Sequence, residues 1–207
     1  MKQSKLGVLI SGRGSNMAAI LDHIQNRRLN AEMVMVISNQ PDAPGLQLAE
    51  KAGVKTVVVE AALFSSNDEY EMKVVHFLKE ANVDLVVLAG YMKIVGSVLL
   101  HAFKNRILNI HPSLLPAFPG LYAQSQALEY GVTFSGCTVH FVDDTLDGGP
   151  IIMQKVVSVL PDDSVEDLSN RILEQEHVAY SEAIQLFCEQ RLHVTSGSRR
   201  VTIINKK

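Results

Sequence analysis

Cysteine is scarce in this chain: two residues, Cys137 and Cys188, among 207. Two thiols supply neither a disulfide framework nor a metal cluster, so the expected setting is a reducing cytoplasm. No apolar run reaches the roughly 18 residues needed to span a bilayer, and no membrane partner is expected. The opening residues lead straight into a strand-like run with no signal-peptide core, so no secretory leader is expected. Basic charge is not in excess either. Nineteen Lys and Arg stand against 22 Asp and Glu, a net charge of −3, which excludes a broad face that wraps nucleic acid by bulk charge. Repeats, low-complexity segments and interdomain linkers are absent from the sequence. With 47% hydrophobic and 20% charged residues, disorder is excluded and one α/β domain with a sizeable core is expected.

What is present alternates. Branched apolar runs at 6–10, 33–37, 54–59 and 84–89 are separated by helix-like stretches at 15–26, 45–52 and 66–81. Near-continuous apolar strands between helices indicate a parallel sheet covered on both faces. Right-handed crossovers make it an open, doubly wound, mostly parallel sheet of Rossmann-like type. A fifth strand is expected at 106–110, followed by Pro112 and Pro116, which forbid a regular helix. A short helix at 124–130 and strands at 137–142 and 151–159 follow, the strands joined by a polar loop, 143–150. The pattern Ser164-x-x-Asp167 is a capping box opening a long helix to about residue 189. In the tail, 192–205, Ser196-Gly197-Ser198 lies between two strand-like runs and predicts a C-terminal hairpin.

Four features carry chemistry. The first is Ser11-Gly12-Arg13-Gly14-Ser15-Asn16, between the first strand and the first helix. Open α/β sheets bind ligands at strand carboxyl ends, and free amides at a helix N-terminus attract anions. Met17 stands where a dinucleotide fingerprint needs its third glycine, Ser38-Asn39 offers no acid for a ribose, and no Lys-Ser/Thr follows for a Walker loop. A phosphate-monoester pocket and a tight turn without ligand both remain; Ser15 or Asn16 is the expected helix cap. The second is Asn109-Ile110-His111. Its amide and imidazole share a strand face, fit to stabilise an oxyanion and to move a proton, while a loop-capping Asn beside a packed His is the plain alternative. His140, between Val139 and Phe141, reads as structural, as do His23, His76, His101 and His193.

The third feature, Asp143-Asp144-Thr145-Leu146-Asp147-Gly148-Gly149-Pro150, matches D-D-x-x-D by letter, but that magnesium motif works on a helix face. It reads either as an Asp-Gly turn or as a rigid loop presenting Asp147 to a histidine. The fourth is Glu176, which falls on the apolar stripe of the long helix formed by Val165, Leu168, Ile172, Ala179, Ala183 and Leu186. A carboxylate there needs a partner or a cleft. Ligand hydroxyls and a salt bridge to Arg171 or Arg106 both satisfy that.

The segments 7–16 (GVLISGRGSN), 87–95 (VLAGYMKIV), 108–116 (LNIHPSLLP), 136–142 (GCTVHFV) and 146–152 (LDGGPII) resemble, in this order, the phosphoribosylglycinamide formyltransferase family of folate-dependent formyltransferases. The resemblance runs from about residue 5 to 194. Methionyl-tRNA formyltransferase carries an extra C-terminal domain and formyltetrahydrofolate deformylase an extra N-terminal one, for which 207 residues leave no room. The resemblance implies the formyltransferase fold as a single domain over 1–207. Its N-terminal half (about 1–100) would bind phosphate, and its C-terminal half (about 101–190) would bind folate and hold the catalytic groups.

The implied reaction is metal-free formyl transfer from 10-formyltetrahydrofolate to the amine of glycinamide ribonucleotide, in cytoplasmic de novo purine (IMP) biosynthesis, by a monomer or homodimer. By motif position, Asn109 would hold the formyl oxygen, His111 would assist proton movement, and Asp147 would orient His111 and help deprotonate the amine through water. Gly14, Ser15 and Asn16 would bind the phosphate and Glu176 the ribose hydroxyls; Met92, Lys93, Ile94, Val95, Asn109, Val142 and Asp144 would bind the folate. The family's histidine-containing segment after Pro119-Gly120-Leu121 reads Tyr122-Ala123-Gln124-Ser125 here, and Gln124 cannot titrate. The alternatives are a hydrolase that discharges formyl to water and a non-catalytic folate- or nucleotide-binding homologue.

Overall fold

The computed structural model describes residues 3–195 and 198–205. The chain divides into two compact units, Met1–Leu108 and Asn109–Lys207. In the first, β1 (Ser4–Ile10), β2 (Ala31–Ser38), β3 (Lys55–Val58), β4 (Leu85–Leu88) and the start of β5 (Ile107–His111) lie in the order β3-β2-β1-β4-β5. The β1–β2, β1–β4 and β2–β3 pairs are parallel. Helices α1 (Ser15–Gln25), α2 (Pro44–Lys51), α3 (Asn67–Glu80) and α4 (Ser97–Ala102) intervene. All of β4 and the last five residues of β1 are buried, the mark of strands covered on both faces. Gly7 shows how tightly: a Cβ there would stand 2.5 Å from Leu78 of α3.

The boundaries expected from the sequence hold within a few residues. The exceptions are the short 3-10 turn Ala61–Leu63 and α4, for which the sequence carries no local helix signal. Helix α4 has only six residues and its N-cap, Gly96, makes no side-chain cap bond. Glu71 of α3, 2% exposed, supplies the cap instead, accepting the N–H groups of Gly96 and Leu99. No local pattern records a cap that arrives from another helix.

In the second unit the order is β5-β6-β7, with β6 (Phe134–Phe141) antiparallel to β7 (Ile151–Ser158). Helix α5 (Ala123–Tyr130) precedes β6, and α6 (Val165–Cys188) packs on β6 and β7. The capping box forms as expected, with Ser164 accepting from Asp167 N and the Asp167 carboxylate accepting from Ser164 N. Leu168, Ile172, Ala179 and Ala183 are buried, whereas Val165, in the first turn, is 47% exposed. The tail pairs β8 (Leu192–Val194) with β9 (Val201–Ile203) antiparallel, the hairpin expected; Ser196 and Gly197 of its turn lie outside the described residues. Among the described residues, no helix is long and apolar enough to cross a membrane.

Two features shape the end of β6. Pairing steps from Val139–Met153 to His140–Ile151, a bulge that re-aims the strand end. Beyond it the 143–150 loop closes with Phe141 N donating to the Pro150 carbonyl at 2.9 Å. Gly149 crosses Phe141 so closely that a Cβ would lie 1.8 Å from that residue's carbonyl oxygen. Gly149→Ala is therefore expected to cost at least about 3 kcal/mol. A thermal melt checks this as a Tm drop of roughly 6–12 °C.

Candidate active site

β5 delivers the first two groups. Its pleat places Asn109 and His111 on the same side of the strand end. His111 is 5% exposed. Its Nε2 lies 2.8 Å from the Phe118 carbonyl oxygen and its Nδ1 lies 3.4 Å from Asp147 Oδ2. Both ring nitrogens thus face oxygen acceptors, and a proton on either one has a partner.

Asp147 is held in left-handed backbone, φ 48°, which costs an L-residue roughly 1–2 kcal/mol. Its Oδ2 accepts the Gly120 N–H at 2.8 Å. Gly120 sits in a turn where Phe118, Gly120 and Tyr122 all have positive φ. Gln126 of α5 ties that turn down, donating to the carbonyls of Pro119 at 3.2 Å and Leu121 at 2.9 Å. This is the segment where the sequence departs from the family it resembles. Here Asp147 and an amide of α5 order it, and Tyr122 points to solvent, 77% exposed.

His140, expected to be a structural residue, joins the same cluster. Its Nδ1 lies 2.9 Å from the Phe141 carbonyl oxygen, an acceptor, so the ring proton resides there and Nε2 is left to accept. Asn109 Nδ2 donates to that Nε2 at 3.2 Å. Burial pushes the His140 pKa below its ordinary 6.5, the opposing pull of the Phe141 carbonyl and the Asp147 charge being smaller. The neutral ring therefore fixes the Asn109 amide, with one N–H on His140 and the second without an acceptor among the described residues. Strand alternation predicted His140's burial; its contact with Asn109 arises only because β5 and β6 are neighbours.

The remaining candidates of the second unit are Val142, Asp144 and Glu176. Val142 is half-buried and Asp144 exposed, either side of Asp143, whose Oδ1 accepts the Thr145 N–H at 2.9 Å in a local turn. Glu176 is buried on α6, 7% exposed. Its charge adds to burial in pushing the Cys137 thiol of β6 up to about 12. The two arginines offered as its partners are engaged elsewhere. Arg171 forks onto Asp163 at 2.6 and 2.8 Å, and Arg106 donates to the Ala102 carbonyl at 3.0 Å.

In the first unit, Gly14 itself is the N-cap of α1, in left-handed backbone (φ 74°) and without a side-chain cap bond. This corrects the expectation that Ser15 or Asn16 caps the helix; both lie inside it. The cause is steric: a Cβ on Gly14 would stand 3.1 Å from the Gly45 Cα, and φ 74° favours glycine. The first amides of α1 have no carbonyl one turn back within the helix, the general condition under which a helix start attracts an anion. Ser11 Oγ donates to Asn39 Oδ1 at 2.6 Å and accepts the Met92 N–H at 2.8 Å, tying this loop to the 91–96 segment. There Met92 and Ile94 are 68% and 75% exposed, Val95 is half-buried, and Lys93 Nζ lies 4.9 Å above the Tyr70 ring.

The depressed His140 pKa gives stability a signed pH dependence. Above pH 6.5 neither the folded nor the unfolded state binds the His140 proton. As pH falls below 6.5, the unfolded chain takes it up first, so stability is lost with falling pH until the folded ring titrates as well. Denaturant titrations across this range are expected to show a smaller acid loss in His140→Gln than in the parent.

Comparison with known proteins identifies the family. Residues 4–184 match the formyl transferase family. Phosphoribosylglycinamide formyltransferase of Escherichia coli (strain K12) is 43% identical over 185 residues, 89% of this chain and 87% of that protein. The trifunctional purine biosynthetic protein adenosine-3 of Drosophila melanogaster is 43% identical over 187 residues; the match covers 89% of this chain but only 14% of that longer protein. The crystal structure of glycinamide ribonucleotide transformylase 1 from Symbiobacterium toebii superposes with a TM-score of 0.96 at 51% identity, covering 99% of this chain and 95% of that one. The chain belongs to the formyl transferase family, among its phosphoribosylglycinamide formyltransferases.

Proposed function

We propose that this chain transfers a formyl group from 10-formyltetrahydrofolate to the amine of 5-phosphoribosylglycinamide, a step of purine (IMP) biosynthesis. The observation that carries the reading is the Asn109 amide, fixed by His140 with one N–H unused, at the same strand end as the His111–Asp147 pair. Attack of the amine on the formyl carbon puts negative charge on the formyl oxygen. The second Asn109 N–H stabilises that charge, joined by a His111 N–H that exchanges its Phe118 carbonyl for the formyl oxygen, and the cost of orienting the amide is met in the folded state. His111 holds a proton on either ring nitrogen. Asp147, fixed by the Gly120 N–H, orients that ring and accepts the proton leaving the amine, through water. The C–N bond to the folate then breaks, and its nitrogen departs with the proton the amine gave up, returned from Asp147 by way of His111.

The two units divide the ligands. In the first, the α1 amides at Gly14, Ser15 and Asn16 bind the phosphate, and the exposed 92–95 side chains of the segment tied to Ser11 pack on the folate. In the second, Asn109, Val142 and Asp144 bind the folate and Glu176 the ribose hydroxyls. The cytoplasm, where buried thiols outside any disulfide such as Cys137 and Cys188 persist, is the fitting compartment.

A two-substrate assay followed at the folate chromophore is expected to yield formylated ribonucleotide. Formate release without an amine acceptor would instead mark a hydrolase, and folate binding by calorimetry without turnover a binding protein. His111→Ala and Asn109→Ala, checked for folding, are expected to lose about 10²–10⁴-fold and about 10²–10³-fold in kcat; unchanged turnover in either removes the mechanism. Glu176→Gln is expected to raise the ribonucleotide KM by about tenfold, with a smaller effect on the folate KM.

A further inference from the structure

The 91–96 segment is fastened to α3 by side chains that the reaction itself does not use. Helix α4 begins at Gly96 and is too short to order itself: six residues, with no cap bond from its own N-cap. In a capping box, the N-cap side chain would accept the N3 amide, here that of Leu99, and the N3 side chain would accept the N-cap amide. Glu71 of α3 performs both halves from outside, one carboxylate oxygen taking the Gly96 N–H and the other taking the Leu99 N–H at 3.0 Å. At Gly96 the space an ordinary cap side chain would enter is already taken by side chains of α3. A Cβ there would lie 2.8 Å from Asn67 Nδ2 and 3.1 Å from both Glu71 carboxylate oxygens.

The preceding residue of α3 holds the other end. The hydroxyls of Tyr70 and Tyr91 are 2.6 Å apart, Tyr70 is 1% exposed, and burial raises the pKa of both phenols, so the bond joins neutral groups. The Tyr70 ring also lies beneath Lys93 Nζ. With the Ser11 bond to Met92 N as a third anchor, the four residues Met92–Val95 lie between fixed points at Tyr91 and Gly96, while Met92 and Ile94 keep their side chains in solvent.

We propose that Glu71, together with the Tyr70–Tyr91 hydroxyl pair, is a positioning device that presents Met92 and Ile94 to the folate. Its contribution is to folate affinity, with no part in the chemical step. This rests on the reading above that the segment contacts the folate. A glutamine at 71 can accept only one of the two amides and turns an N–H towards the other. Tyr91→Phe deletes the hydroxyl pair and leaves the ring.

Steady-state kinetics with each substrate varied, on variants whose melts show them folded, decides the matter. Glu71→Gln is expected to raise the folate KM by about tenfold, the scale of one lost hydrogen bond to a charged group, with kcat and the ribonucleotide KM within about twofold. Tyr91→Phe is expected to raise it by about threefold with the same selectivity, and it alone carries the test if Glu71→Gln does not fold. Equal rises in both KM values, a fall in kcat alone, or an unmoved folate KM would overturn the proposal. Met92→Ala separates the two levels. If it raises the folate KM while Glu71→Gln does not, the clamp fails and the folate contact stands; if it leaves the folate KM unmoved, the contact itself fails and the clamp with it.

Discussion

The Asp147 carboxylate organises the polar cluster at the strand ends of the second unit. One of its oxygens holds the Gly120 amide and faces His111, and the other lies 4.0 Å from His140. Through Gly120 it fixes the 118–122 turn whose Phe118 carbonyl meets the far nitrogen of His111. The imidazole is therefore gripped on both sides by groups that depend on one side chain. A left-handed backbone at Asp147 is the cost of aiming that carboxylate, and Gly149 makes the geometry possible by letting the loop cross Phe141 at a distance no Cβ allows.

Neutral polar groups do much of the orienting. His140 stays uncharged because it is buried, and an uncharged ring with its proton on Nδ1 can accept from Asn109. A charged ring would present an N–H to that amide and turn it over. Asn109 thus owes its orientation to the low polarity around its neighbour. The same economy of formal charge appears in the first unit, where backbone amides at Gly14–Asn16 are the groups suited to an anion. Such donors leave no trace in the net charge of −3, so the composition is compatible with a phosphate-bearing ligand while still excluding a basic face for nucleic acid.

Glycine and carboxylate recur together as structural devices. Gly96 yields its place to the Glu71 carboxylate, and Gly120 offers its amide to the Asp147 carboxylate. In both cases a charged group from a distant part of the chain orders a short irregular segment that its own residues could not order. Backbone amides bonded to an ionised acceptor are stronger than neutral pairs, which suits segments with few apolar contacts of their own.

Read alone, the sequence established the alternation of strands and helices, the capping box at Ser164, the shared face of Asn109 and His111, and the misfit of Glu176 on an apolar stripe. These are local properties: apolar period, side-chain alternation and cap spacing act within a few residues. Only the tertiary structure decided that Gly14 and not Ser15 caps α1, that α4 exists, that His140 holds Asn109, and that Glu71 and Tyr91 fasten the 91–96 segment. Each of those rests on a contact between residues 21 to 31 positions apart in the chain or more. Sequence pattern does not encode such contacts, because they exist only once neighbouring strands and helices have been brought side by side.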